Sequence, residues 1–201
     1  MQLYYREKGT GETLILLHGN GEDSGHFEEV MNYFASSCRV IALDTRGHGR
    51  SPRGKEPFTI RQFAEDLLEF MDQKQIYQAN LLGFSDGGNI ALVFALKYPE
   101  RVKKLILNGA NLSAEGVKPS IQIPIELGYR MTRFLSRFSS KAKEKEEMLG
   151  LMVNDPNVDP KELRKLVMPV LVIAGTKDMI KEKHTKMIAE SIPDAWLSII
   201  P

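Results

Sequence analysis

The sequence predicts an α/β fold in which a mostly parallel sheet carries helices on both faces. Short runs rich in Val, Ile and Leu alternate with stretches of helical periodicity along most of the 201 residues. The runs are almost continuously apolar, which is typical of strands covered on both faces. Alternation of such strands with helices indicates βα units wound into one sheet.

Six apolar runs are predicted to be strands, and helical patterns lie between several of them. The clearest helical pattern, from Ile60 to Met71, places its apolar residues on one face, and Thr59 with Gln62 predicts a capping box at its start. The predicted strands are Leu14–Leu17, Arg39–Leu43, Ala79–Leu82, Lys104–Leu107, Val170–Ala174 and Trp196–Ile200. The other predicted helices are 89–96, 125–138, 141–153 and 183–190.

A single domain over 1–201 is expected, with a core formed by 1–109 and 168–201. The segment 110–167 contains no strand candidate and two helical stretches. A long insertion between two core strands is often a lid. The sequence therefore predicts a helical cap over 110–167, whose apolar residues either pack on the sheet or line an acyl pocket. They are Ile121, Ile123, Ile125, Leu127, Met131 and Phe134.

Composition excludes several classes of partner. The net charge of +1 creates no global field that would attract nucleic acid or an acidic membrane. The single cysteine, Cys38, has no partner for an internal disulfide, which favours a reducing compartment. The N-terminus has no signal-peptide core. A cytoplasmic domain without nucleic-acid or membrane partners is expected, and the oligomeric state is left open.

The strongest motif is Gly83–Gly88, which reads Gly-Phe-Ser-Asp-Gly-Gly between a predicted strand and a predicted helix. A G-x-S-x-G sequence in this context is a nucleophile elbow, in which a tight turn lifts the serine hydroxyl away from the sheet. Ser85 is therefore the candidate nucleophile. The alternative is a capping serine in a glycine-rich turn.

A second motif, His18–Gly21, follows the first predicted strand. A tight turn there exposes backbone N–H groups, and in a hydrolase one of them joins the N–H after the nucleophile to hold an oxyanion. The candidates are the backbone N–H groups of Asn20 and Asp86. A dinucleotide-binding loop is disfavoured because Ser24 stands where that motif needs its third glycine.

Asp178 is the candidate catalytic acid. It comes just after the strand Val170–Ala174, at the edge where α/β sheets bind ligands. Catalysis needs such a carboxylate to orient a histidine. A surface turn aspartate is the alternative.

Together with Asp44–Ser51, these segments resemble the α/β-hydrolase superfamily, in the same order along the chain. The resemblance implies an α/β-hydrolase fold, a Ser–Asp–His triad and a variable helical cap over 110–167. A closer likeness, to valacyclovir-hydrolase-type esterases, rests on Leu81–Gly88, Lys97–Pro99 and Gly109–Asn111. In that group the residue matching Asp86 receives the substrate's amino group; the alternative is that Asp86 caps the following helix.

The histidine of such a triad is not apparent among the four in the sequence. His184 is predicted to be a surface residue on a helix, and His18 a buried turn residue. His48 follows a strand and would approach the pocket, but the family pattern does not use it as the base. We therefore expect the 201 residues to end just short of the catalytic histidine. No metal site or cofactor is predicted, since the histidines show no paired ligand spacing.

The expected function is cleavage of carboxylic esters, or related acyl bonds, of small to medium substrates through an acyl-enzyme. Two alternatives stay open. One is an α-amino-acid ester hydrolase that uses Asp86 to bind an ammonium group. The other is a non-catalytic ligand-binding protein built on a hydrolase scaffold.

Overall fold

A computed structural model describes residues 1–201 as seven strands and six helices, with short 3-10 turns between them. The strands are β1 (Tyr5–Lys8), β2 (Glu12–Leu17), β3 (Cys38–Leu43), β4 (Ala79–Phe84), β5 (Val102–Asn108), β6 (Val170–Gly175) and β7 (Ala195–Ile200). The helices are α1 (Glu28–Phe34), α2 (Ile60–Gln73), α3 (Asp86–Lys97), α4 (Pro119–Leu135), α5 (Ser140–Asn154) and α6 (Glu182–Ser191).

All seven strands form one sheet in the order β1-β3-β2-β4-β5-β6-β7. Every neighbouring pair is parallel except β1 with β3, which is antiparallel. The predicted α/β-hydrolase fold with a mostly parallel sheet is thus confirmed. Two short elements, β1 and α1, were not predicted. Strand β1 reads Tyr-Arg-Glu-Lys and none of its residues is buried, so this edge strand lacks the apolar run that marks the inner strands.

Apolar side chains pack on both faces of the sheet. A large cluster joins β2, β4 and β5 to α2, α3 and α6 on one face. A smaller cluster on the other face includes Leu14, Leu16 and Val40, and α1 contributes Met31 to it. The predicted helices on both faces are therefore present.

Helix α2 is built as its periodicity predicts. It buries Ile60, Phe63, Leu67 and Phe70 against the sheet. The hydroxyl of Thr59 accepts a hydrogen bond from the backbone N–H of Gln62 (3.2 Å), so half of the predicted capping box forms.

The Gln62 side chain does not complete the box. It donates instead to Asp66, whose carboxylate also forms a two-pronged ion pair with the buried guanidinium of Arg46 (2.6 and 2.7 Å). This pair fixes the loop after β3 to α2.

The segment 110–167 contains two helices, as predicted, and adds no strand to the sheet. Helix α4, however, covers Pro119–Leu135 rather than the predicted 125–138. The two helices pack against each other. Near their start, Val117 forms an isolated antiparallel bridge with Ile180. None of the helices is long and apolar enough to cross a membrane.

Candidate active site

Ser85 occupies the turn between β4 and α3 in a conformation that side chains rarely adopt, with φ 52° and ψ −121°. Left-handed φ values cost a non-glycine residue energy, so they persist only where the surroundings enforce them. The turn is held by the Ser85 N–H, which donates to the carbonyl of Asn108 (2.8 Å), and by the Ser85 carbonyl, which accepts from the N–H of Asn89 (3.1 Å). This is the geometry of a nucleophile elbow.

Two glycines of the motif are required by close backbone contacts. A Cβ on Gly83 would stand 2.2 Å from the carbonyl oxygen of Gly87. One on Gly87 would stand 2.0 Å from the carbonyl oxygen of Leu17, at the end of β2. No side chain fits at either position, and the elbow can therefore close tightly against the neighbouring strand.

The turn after β2 abuts the elbow. A Cβ on Gly19 would lie 3.3 Å from the Cβ of Ser85, so Gly19 and Ser85 are in close contact. The backbone N–H groups of Asn20 and Asp86 donate no hydrogen bond within the protein. Neither N–H group is therefore engaged by a partner within the protein.

Asp86 is 7% exposed, and its carboxylate binds side-chain amides. Asn20 Nδ2 donates to Oδ2 (3.0 Å), and Asn89 Nδ2 donates to Oδ1 (3.3 Å). No backbone N–H of α3 bonds to this carboxylate, so Asp86 does not act as a helix cap. Burial raises the pKa of Asp86 to about 6; the amide of Asn20 opposes this rise, and nearby Asp155 adds to it.

Asn20 also links the sheet edge to α5. Its Nδ2 donates to the backbone carbonyl of Met148 (2.8 Å) as well as to Asp86. On the other side of Asp86, Asn89 donates to Asn111 Oδ1 (3.0 Å). A chain of amides thus runs from α5 to the loop after β5. The sequence did not indicate this chain, because its members are separated by up to 128 residues.

Asp178 lies beyond the end of β6, as the sequence predicts. Its Oδ1 accepts from the N–H of Ile180 (3.0 Å), and its Oδ2 would be 3.2 Å from a Cβ on Gly109. Gly109 follows β5, the strand between β6 and the strand that leads to Ser85. The carboxylate therefore stands at the same sheet edge as Ser85.

The four histidines are engaged elsewhere. His18 is buried, as predicted; its Nδ1 lies 2.8 Å from the Gly19 carbonyl, and its Nε2 accepts from the Thr45 N–H (3.0 Å). His48 packs between aromatic rings, and burial lowers its pKa to about 4. His26 stacks on Phe84 with ring centroids 5.0 Å apart.

His184, predicted to be a surface residue on a helix, is half-buried on α6. Its Nε2 accepts from the backbone N–H of Leu112 (3.0 Å), and its ring packs against Gly116, where a Cβ would meet it at 2.6 Å. Burial also lowers the pKa of His184. The helical pattern concealed this contact because it depends on the loop after β5.

No group of three or more His, Cys, Asp or Glu side chains is arranged to hold a metal ion. Carboxylates near Ser85 at this edge include those of Asp86 and Asp178, and Glu22 accepts from the Gly19 N–H (2.9 Å). The arrangement joins a strained serine, two free backbone donors and a carboxylate at the carboxyl edge of a parallel sheet, where α/β folds bind ligands.

Comparison with known proteins identifies the family of this chain. The family model for the alpha/beta hydrolase fold matches residues 12–147. The chain is 31% identical over 123 residues to an uncharacterized protein of Mycobacterium tuberculosis, a match that covers 61% of this chain and 35% of that protein. It is 26% identical over 227 residues to the human serine hydrolase BPHL, covering 100% of this chain and 76% of that one.

Among solved structures, the enol-lactonase of Burkholderia xenovorans superposes with a TM-score of 0.81 at 22% identity, covering 98% of this chain and 87% of that one. This likeness shows the shared fold. The chain belongs to the alpha/beta hydrolase fold family. It spans about a third of the length of the mycobacterial relative.

Proposed function

We propose that this protein is a serine hydrolase that cleaves carboxylic esters of small to medium substrates through an acyl-enzyme. The observation that carries the proposal is the strained conformation of Ser85, together with the backbone N–H groups of Asn20 and Asp86, which donate to no atom of the protein. Strain of this kind is stored mainly at functional sites. The likeness to the human serine hydrolase supports the same reaction class.

In the proposed reaction, Ser85 Oγ attacks the ester carbonyl carbon while a histidine accepts the hydroxyl proton. The carbonyl oxygen becomes an oxyanion and accepts hydrogen bonds from the N–H groups of Asn20 and Asp86. The histidine returns the proton to the alcohol as it leaves, and Asp178 stabilises the imidazolium in between. Water then cleaves the acyl-enzyme and restores the serine.

This scheme requires a histidine other than the four described. Each of their rings contacts other partners, and none of them forms a hydrogen bond with Ser85 Oγ. A serine hydroxyl is a poor nucleophile without a base. The base can be supplied experimentally as free imidazole.

The test is hydrolysis of p-nitrophenyl esters of increasing acyl length by the 201-residue chain, with and without imidazole. In the presence of imidazole, the wild-type protein is expected to hydrolyse the ester at least roughly tenfold faster than Ser85→Ala, because a general base contributes about 10² to 10⁴ in rate. Ser113→Ala serves as the control serine. Equal rates for wild type and Ser85→Ala would refute the proposal and favour a non-catalytic ligand-binding protein.

A second candidate, hydrolysis of α-amino-acid esters, is favoured by the burial of two carboxylates near the site. Burial raises the pKa of both Asp86 and Asp155 to about 6. A substrate ammonium group placed between them would stabilise their charged forms. Against this, both oxygens of Asp86 already accept amide hydrogen bonds.

Alanine and propionic acid esters of the same alcohol separate the two candidates, because they differ only in the amino group. If Asp86 binds ammonium, Asp86→Asn lowers kcat/KM for the alanine ester by roughly tenfold more than for the propionate ester. An equal loss on both esters would assign Asp86 to holding Asn20 in place.

A further inference from the structure

Helix α4 is oriented opposite to an ordinary surface helix. The residues it buries are polar: Gln122 and Thr132. Five large apolar side chains on or just after it point outward, with 56% to 79% of their surface exposed. They are Ile123, Leu127, Met131, Phe134 and, just beyond the helix end, Phe138.

These five positions fall at helical spacing along one face. Packing of the protein itself does not explain them, because the opposite face of α4 makes the contacts to the rest of the molecule. Contiguous exposed apolar surface of this kind marks a site of interaction. We call these five residues the outer face of α4.

One edge of the outer face is basic. Arg130, Arg133 and Arg137 lie along it, and none of them pairs with a carboxylate. Between Lys118 and Lys141 the chain carries five basic residues and a single acidic one, Glu126. Since the whole chain has a net charge of only +1, the rest of it is net acidic and the positive charge is concentrated here.

We propose that the outer face of α4 docks on an anionic lipid surface. The apolar side chains would enter the boundary between headgroups and acyl chains, and the arginines would contact lipid phosphates. A lipid surface supplies an anion for every arginine. In a symmetric dimer through this face, the second copy would set its arginines against these arginines, with only Glu126 as an acidic partner along the edge, so charge complementarity favours lipid over that dimer. The near-zero net charge of the whole chain predicted no membrane partner, but that average does not register the basic edge of α4.

The proposal is independent of the chemistry at Ser85. The outer face of α4 is nonetheless connected to the site around Ser85, because α4 packs on α5 and the backbone carbonyl of Met148 in α5 accepts a hydrogen bond from Asn20. Docking would therefore place the lipid on the α4–α5 side of the molecule.

Sedimentation with large vesicles tests the proposal. The chain is expected to bind vesicles of 7:3 phosphatidylcholine and phosphatidylglycerol and to stay in solution with pure phosphatidylcholine, with binding weakened by added salt. Neutralising the edge with Arg130→Gln, Arg133→Gln and Arg137→Gln should weaken binding roughly a hundredfold, about fivefold for each charge. The double variant Phe134→Ser, Phe138→Ser should also lose binding.

These sites are exposed, so the variants are expected to keep the wild-type circular dichroism spectrum. The matched control is Tyr33→Ser with Tyr77→Ser, two aromatic residues that are 76% and 74% exposed away from α4; it should bind like wild type. Absence of binding to the anionic vesicles would overturn the proposal. So would a dimer, seen by analytical ultracentrifugation, that the Phe134→Ser, Phe138→Ser variant abolishes.

Discussion

Helices α2 and α4 have comparably clear amphipathic patterns, yet they present their apolar faces in opposite directions. Helix α2 packs Phe63, Leu67 and Phe70 into the core. It leaves Arg61, Glu69 and Asp72 exposed to solvent. Helix α4 turns polar residues inward and exposes the outer face defined above. Periodicity locates a helix and its apolar side. It does not reveal whether that side is covered by this chain or by a partner.

The largest expected effect lies on the α2 side of this comparison. Phe70 is 2% exposed and packs edge-on against Tyr5, with ring centroids 5.3 Å apart. Phe70→Ala is expected to lower the free energy of unfolding by about 3–5 kcal/mol, because it removes a large side chain and leaves a cavity. Urea denaturation measures this. A loss below about 1 kcal/mol would mean that α2 is not a core helix.

An intermediate effect is expected at Asp86, where α5 meets the core through Asn20. The folded pKa of Asp86, about 6, lies above the usual value of about 3.9 for an unfolded chain. The folded protein therefore binds the carboxyl proton of Asp86 more tightly than the unfolded chain does. This difference stabilises the fold at low pH, and the stabilisation is lost as the pH rises from about 4 to about 6. The asparagine of Asp86→Asn cannot ionise. The free energy of unfolding of this variant, relative to wild type, should therefore increase by about 2–3 kcal/mol between pH 4 and pH 7.

Wild type and Asp86→Asn are compared at each pH because the titration of His48 changes the stability of both proteins in the opposite direction. Its lowered pKa, about 4, means that stability is lost as the pH falls toward that value. Asp194→Asn, at an exposed site, controls for the loss of one negative charge. A stability difference between Asp86→Asn and wild type that stays constant from pH 4 to pH 7 would contradict the assignment.

The smallest effect is expected on the α4 side. Phe134 is 63% exposed, so Phe134→Ala should change the free energy of unfolding by no more than about 0.5 kcal/mol. The same denaturation series that includes Phe70→Ala provides the contrast between a phenylalanine in the core and one on the outer face. A loss comparable to that of Phe70→Ala would show that α4 buries this residue in solution.

Sequence patterns predicted the parts of the molecule that depend on local or repeated signals. The sequence predicted the buried strands, α2 and the Gly83–Gly88 turn because each depends on neighbouring residues. It did not predict the contacts between distant segments. Asn20 meets Met148, and His184 meets Leu112, only after the sheet brings separate loops together.

The apolar residues of α4 illustrate the same limit. From the sequence, these residues were predicted either to pack on the sheet or to line a pocket. In the structure, most of them are exposed on the outer face. Which side of a helix meets the core is set by the helices beside it; here α5 packs against α4 at Gly128 and Tyr129. The boundaries of the predicted cap, 110 and 167, remain a prediction.

The central claim is that Ser85 is the nucleophile, and covalent labelling tests it most directly. The chain is treated with a fluorophosphonate in the presence of imidazole, digested, and analysed by mass spectrometry. The account predicts one phosphonylated peptide containing Ser85 and none in the Ser85→Ala variant. Labelling at another residue, or no labelling of the folded wild-type chain, would contradict it.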